Sequence, residues 1–388
     1  MFRYFGRREA LTLLSRLAWN VVTGYLDSAA RNLGMPAQPE HDARYAACDE
    51  YVRVVYKLMC ASWRSDAVVL DAQAGIFTDP DRVRSIDHQG EHFTVPGPHI
   101  CAPSPQRAPL MFQAGTSTAG QAFAGRHAEG VFVSGHSPAS VAKSIVAIRA
   151  RALGEGRDPR AVKFLAKICP ILGRTEQEAR AKYKEYLGYG DYQGALALFG
   201  GWTGVDMAKY GDDEELRLVE NNAIRGYVEG MAKHAPETGK WTKWVIAEKI
   251  IVGGLGATPV GTPEQVADEF ERWVDEAGVD GFNIVSRVSR AVRAKQTMGR
   301  ELIVNEAYAI MPGTFDDVIE LLIPELRKRG LFWDDYAVPG GTYRENFYEK
   351  VGQAEPPIDH PAQSYIWRAP PKGTRGSTSI DPVAAQLL

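Results

Sequence analysis

The sharpest chemical signal in this 388-residue chain is the run Phe112-Gln113-Ala114-Gly115-Thr116-Ser117-Thr118-Ala119-Gly120. An apolar strand ends there in Gly-Thr-Ser and leads directly into a helix. Gly115 permits close backbone approach, Thr116 and Ser117 offer hydroxyls, and the unpaired amides of a helix start favour an anion, a phosphate monoester above all. The plainer reading is an ordinary Ser/Thr N-cap. A second pair lies in His41-Asp42-Ala43-Arg44-Tyr45 at another helix start. Its i, i+4 spacing puts the His41 imidazole and the Tyr45 phenol on one face, where they could line a ligand or serve only as cap and surface. In Trp19-Asn20-Val21-Val22-Thr23-Gly24, Asn20 and Thr23 add an amide and a hydroxyl at the end of a short apolar strand.

Other chemistries find less support. Gly253-Gly254-Leu255-Gly256-Ala257-Thr258-Pro259 begins like a G-x-G-x-x-G fingerprint, but Pro259 replaces the third glycine and the next helix opens only at Thr262. A tight strand-to-helix loop is expected there, not a dinucleotide site. His88 and His92 share i, i+4 spacing inside a Gly-containing loop without a third ligand, so no metal site is expected. The four cysteines (Cys48, Cys60, Cys101, Cys169) form neither a C-x-x-C nor a zinc pattern, which points to a reduced, cytoplasmic setting. There is no G-x-S-x-G elbow and no H-E-x-x-H.

These residues must be held by a scaffold, and the sequence describes one. Strand patterns at 109–114, 130–133, 162–172, 250–252 and 280–285 alternate with helical patterns at 45–63, 117–128, 138–153, 175–187, 263–277 and 314–329. Such alternation implies a parallel sheet, doubly wound or closed into a barrel, with its active site at the C-terminal ends of the strands. Residues 75–105 read as loop, 188–245 as a helical insertion over the rest, and the tail from Pro356 as a surface extension. The composition, 45% hydrophobic and 24% charged, suits a full core. A balance of 45 Lys+Arg against 48 Asp+Glu gives no reason to expect a nucleic-acid partner. No apolar run approaches the ~18 residues of a membrane span. Arg3, Arg7, Arg8 and Arg16 leave room for a transit peptide, but Arg16 falls too early for a secretory leader.

Taken in order, these motifs resemble the nitrilotriacetate and dibenzothiophene-sulfone monooxygenase branch of the bacterial-luciferase-like flavin monooxygenases. The likeness runs through Trp19-Asn20-Val21-Val22-Thr23, Ser28-Ala29-Ala30-Arg31-Asn32, His41-Asp42-x-Arg44-Tyr45, Gly97-Pro98-His99, Gln113-Ala114-Gly115-Thr116-Ser117, Asp280-Gly281-Phe282-Asn283 and Pro312-Gly313-Thr314-Phe315. The resemblance implies a (β/α)8 TIM barrel of the luciferase-like type with a helical insertion. It further implies reduced FMN supplied by a separate NAD(P)H:flavin reductase, O2 activated as a flavin hydroperoxide, a small organic substrate and a homo-oligomer. Carried over by motif, His41 and Tyr45 match flavin-contacting positions, Thr116 or Ser117 with Gly115 the phosphate-binding turn, and Asn20 and Thr23 positions near the ring. His41 is also expected to position or protonate the oxygen species or the substrate.

Two departures accompany the likeness. Only 18 residues precede Trp19, and the segment 1–16 does not resemble the family's long N-terminal part; residues 286–306, rich in arginine, interrupt the family's spacing. They have the form of a lost 5′ segment and a retained intron. The expected organisation is therefore an atypical segment 1–16, a barrel over 17–350 lacking its first strands, with a lid at 188–245 and an insertion at 286–306, and an extension over 351–388. Such a chain is expected to bind FMN poorly or not at all, whereas a form carrying the missing strands would be an enzyme. Two alternatives stand beside the monooxygenase: a deazaflavin-dependent barrel oxidoreductase, and a truncated, non-catalytic relative.

Overall fold

The computed structural model describes residues 16–214, 240–284, 288–289, 310–311 and 313–370. The segment 1–15, the middle of the expected lid and all of 286–306 except Val288-Ser289 lie outside the described residues.

Five parallel strands form the main sheet: β1 (Ala18–Val21), β2 (Leu110–Gln113), β3 (Gly130–Val133), β4 (Lys163–Ile168) and β5 (Gly281–Ile284). Their spatial order is their chain order, with Ala18 opposite Leu110, Phe112 opposite Gly130, Gly130 opposite Lys163 and Gly281 opposite Leu165. A doubly wound sheet reverses its order at a switch point; this one steps always to the next neighbour, which is the winding of a barrel. Between the strands run α1 (His41–Tyr56), α2 (Thr118–His127), α3 (Pro138–Gly154), α4 (Glu176–Gly188), α5 (Tyr192–Thr203), α6 (Lys243–Ile251) and α7 (Pro263–Ala277). A further helical stretch runs through Gly313–Asp317, a π turn at Val318–Leu322, and Ile323–Lys328.

Side-chain alternation sorts the two faces of each strand. Val131, Val133, Phe164, Ala166 and Ile168 pack outward against Ile145 and Ile148 of α3 and Phe270 and Trp273 of α7. Phe132, Leu165, Lys167 and Asn283 fall on the opposite, inward face. Helix α7 starts where the sequence places it: Thr262 caps it by accepting from Gln265 N, Gln265 reaches back to the Thr262 amide, and Pro263 occupies the first turn.

Two expectations need correction. Ile250-Ile251-Val252 is not a strand, because Ile250 and Ile251 end helix α6, in which Ile246, Ala247 and Ile250 turn one buried face into a local core with Leu196, Phe199 and Trp241. Burial at helical spacing overrides the strand preference of a β-branched run. The tail from Pro356 is also more than a surface extension. His360, Ala362 and Ile366 are buried against Tyr56, Cys60 and Met111, and the Trp367 amide donates to the Cys60 carbonyl. The stretch 75–105 contains the short antiparallel pair His88–Gln89/Thr94–Val95, and Ile76–Thr78 pairs with Val68–Asp71.

Candidate functional site

At the C-terminal ends of β1 and β2 the structure gathers most of the residues singled out in the sequence. The Tyr45 phenol, on the second turn of α1, lies within hydrogen-bonding reach of Thr23 after β1, Gln113 at the end of β2, and Ser117 at the start of α2. Gln113 Nε2 donates to it at 3.3 Å. His41, one turn earlier on the same face, places Nε2 at 3.2 Å from Ser117 Oγ, and its ring lies 5.2 Å from that of Tyr45. Thus α1 supplies the imidazole and phenol, and the β2–α2 turn supplies the hydroxyls.

The glycines explain how closely these parts meet. A Cβ on Gly115 would overlap Tyr45 Oη and Gln113 Nε2, and one on Gly120 would come within 2.9 Å of Tyr45 Oη and of the Gly115 carbonyl. Only a bare backbone lets the turn sit beneath the phenol. Ser117 is at once the N-cap of α2, accepting from Gly120 N at 3.2 Å, and a partner of His41. The cap and the site are one residue. Gln121 Nε2 donates to the Thr116 carbonyl and fixes the turn. Asn20 is exposed on β1, outside this hydrogen-bonded cluster.

Protonation follows from the partners. Burial raises the Tyr45 pKa, opposed by its hydrogen bonds, so the group remains a neutral phenol able to donate. His41 Nδ1 lies 2.6 Å from the Asp42 carboxylate, which assigns the ring proton to Nδ1 and leaves Nε2 to accept from the Ser117 hydroxyl. The order Asp42–His41–Ser117 is that of a nucleophilic triad. Two features argue against that use: Ser117 Oγ is engaged as a helix cap, and the Asp42 side chain is 76% exposed, whereas a triad carboxylate is buried.

The cluster fits a phosphate-bearing cofactor. It offers hydroxyl, imidazole and phenol groups at a helix N-terminus, over a cradle that a Cβ would fill. Gln113 is the residue that the sequence reading left out of the site. It is 3% exposed, its Oε1 is buried without a protein partner, and its place at a strand's C-terminal end was the available signal. Among the described residues no cluster of His, Cys, Asp and Glu could hold a metal ion, and no helix is long and apolar enough to cross a membrane.

Comparison with known proteins shows the family. A model of the luciferase-like monooxygenase family matches residues 14–281. The chain is 44% identical to dimethyl-sulfide monooxygenase of Hyphomicrobium sulfonivorans over 90% of its own length and 68% of the relative's. It is 42% identical to long-chain alkane monooxygenase of Geobacillus thermodenitrificans, covering 90% of this chain and 69% of that one. The Hyphomicrobium sulfonivorans enzyme's crystal structure superposes with a TM-score of 0.77 at 40% identity, over 96% of this chain and 75% of the other. A riboflavin lyase crystallised with modified FMN and riboflavin gives 0.75 at 32% identity, over 92% and 74%.

Proposed function

This chain belongs to the luciferase-like monooxygenase family, flavin-dependent enzymes that use O2, and we propose that it is the oxygenating component of a two-component system acting on a small organic substrate. The observation that carries this reading is the convergence of Thr23, His41, Tyr45, Gln113 and Ser117 on one spot at the C-terminal edge of the sheet. In it, Ser117, the first-turn amides of α2, Tyr45 and His41 hold the phosphate end of reduced FMN, and Gln113 Oε1 is the buried acceptor that the bound cofactor meets. The flavin, reduced by a separate reductase, supplies the electrons and the locus of oxygen activation.

The protein's own work is binding, orientation and exclusion of water. His41 is a positioning residue here, since both of its ring nitrogens are engaged, with Asp42 and Ser117. Helices α5 and α6 share a core of their own and reach the ends of β3 and β4 through Trp202 and Trp241. They shield that end of the sheet and keep water from the reactive oxygen species.

Anaerobic titration with FMN photoreduced in the cuvette tests the reading. Saturable binding, however weak, that is weakened further in Ser117→Ala and His41→Ala is the expected result. Absence of binding in a folded protein overturns it, and favours a fold-retaining, non-catalytic relative.

A further inference from the structure

Helix α2 has the Ser117 turn at one end and a buried arginine at the other, roughly 15 Å away at ~1.5 Å per residue. Two side chains cap its last turn. Arg157 Nη1 donates to the Gly125 carbonyl at 2.8 Å, and His360 Nε2 to the His127 carbonyl at 2.9 Å. The backbone fixes this placement: Gly156 takes a positive φ, and the Arg157 amide returns to the Ala152 carbonyl at 2.9 Å. Gly125, where a Cβ would come within 2.6 Å of Arg151 Cβ, lets α2 close on α3. Arg157 is 1% exposed, yet its Nε and Nη2 have no protein partner, and among the described residues no carboxylate pairs with it. Those two nitrogens form the edge with which a guanidinium grips a carboxylate in parallel bonds. Arg344 shows that use in the same molecule, holding Glu129 through Nε and Nη2 at 2.7 and 2.9 Å. Arg157 turns the same edge toward no acid of the described chain.

We propose that the Nε–Nη2 edge of Arg157 binds a small monovalent anion, chloride or a formate-sized carboxylate, as a counter-ion inside the fold. The charge balance supports this choice. The acids of this region are committed elsewhere: Glu129 to Arg344, Asp49 to Arg126 and His127, and Asp158 to Arg160. Burial, and after it the charge of Arg157, lowers the pKa of His360, and burial lowers that of His127. Both imidazoles are therefore neutral, and two buried guanidiniums, Arg157 and Arg344, stand against the one carboxylate of Glu129. A charge away from water is costly unless it is paired. The Gly125 carbonyl, at a helix C-terminus, supplies only a partial charge. Neighbouring hydroxyls are engaged as well: Tyr56 Oη lies 3.3 Å from His127 Nδ1, and Tyr348 Oη donates to the Ala161 carbonyl at 2.9 Å. Enclosure of the arginine limits the ligand to a few atoms.

This site is independent of the flavin reading, and the test uses protein without flavin. Protein dialysed into sodium gluconate, whose anion is too bulky for an enclosed site, is titrated with sodium formate at constant ionic strength. The thermal midpoint should rise saturably, by about 2–4 °C at roughly ten times the half-saturating concentration. The rise should vanish in Arg157→Met. Arg157→Lys, which keeps the charge without the fork, should need about tenfold more formate. Ser117→Ala should leave the rise in place. No rise in the wild type, an equal rise in folded Arg157→Met, or its loss in Ser117→Ala overturns the proposal, the last by moving the anion to the β2–α2 turn. Should the arginine variants misfold, crystals grown in sodium bromide decide. An anomalous peak beside Nε and Nη2 is the expected result, and ordinary water alone at that place overturns the proposal.

Discussion

The two ends of strands β2 and β3 handle polar groups in opposite ways. At their N-terminal ends Arg344 and Glu129 are both fully buried. Arg344 Nε and Nη2 grip the Glu129 carboxylate at 2.7 and 2.9 Å, while Nη1 and Nη2 donate to the carbonyls of Gln106, Ala108, Pro109 and Ala354. Every guanidinium nitrogen is used. At the C-terminal ends Tyr45, Ser117 and His41 are half-buried, and Gln113 keeps an acceptor without a partner. A closed network of charge-assisted bonds fixes the strands; an open one waits for a ligand. Stability and binding are thus separated along a single pair of strands.

This contrast makes predictions that differ by end. Arg344→Met leaves Glu129 buried without its partner and should cost about 3–5 kcal/mol in chemical denaturation. FMN affinity per folded molecule should be unchanged; a matching loss of affinity would show that the two ends are coupled. Gly115→Ala should do the reverse, weakening FMN binding on the order of tenfold to a hundredfold, because the turn must move away from Tyr45. Its midpoint in urea should shift less than that of Arg344→Met. Tyr45→Phe removes one donor and should weaken FMN about threefold to tenfold, from a hydrogen bond of ~0.5–1.5 kcal/mol. Unchanged affinity would remove the phenol from the site.

The smallest effect sharpens the comparison at a third place. Glu50, buried on α1, accepts from His88 and from the amides of His92 and Phe93, which lower its pKa to about 2. A depressed carboxylate stabilises the fold above its ordinary value of 4.5 and loses that contribution as pH falls toward 2. Thermal midpoints measured across that window should decline in the wild type and decline less in Glu50→Gln. An equally steep decline in the variant would place the acid sensitivity elsewhere.

What the sequence made legible was local. Thr262-Pro263-x-Gln265 announces a helix start by its own chemistry, and Gly115-Thr116-Ser117 after an apolar strand announces a turn at a strand's C-terminal end. His41 and Tyr45 are four residues apart, so a shared helix face follows without knowledge of the fold. Arg344 and Glu129 stand 215 residues apart and nothing in either neighbourhood names the other. The strand expected at Ile250-Ile251-Val252 fails for a related reason. Its β-branched residues suit either element, and only contact with Phe199 and Trp241 decides between them.

The clamp has a bearing on the order of events during synthesis. Arg344 braces the entrances to β2 and β3, and His360, Ala362 and Ile366 finish the packing around Tyr56 and Met111. Ribosomes deliver these residues more than two hundred positions after the strands they support. The layer carrying Tyr45 therefore remains provisional while the rest is made. A nascent polypeptide arrested before Arg344 should be readily digested by protease around α1 and β2, and should resist once His360 to Ile366 have emerged.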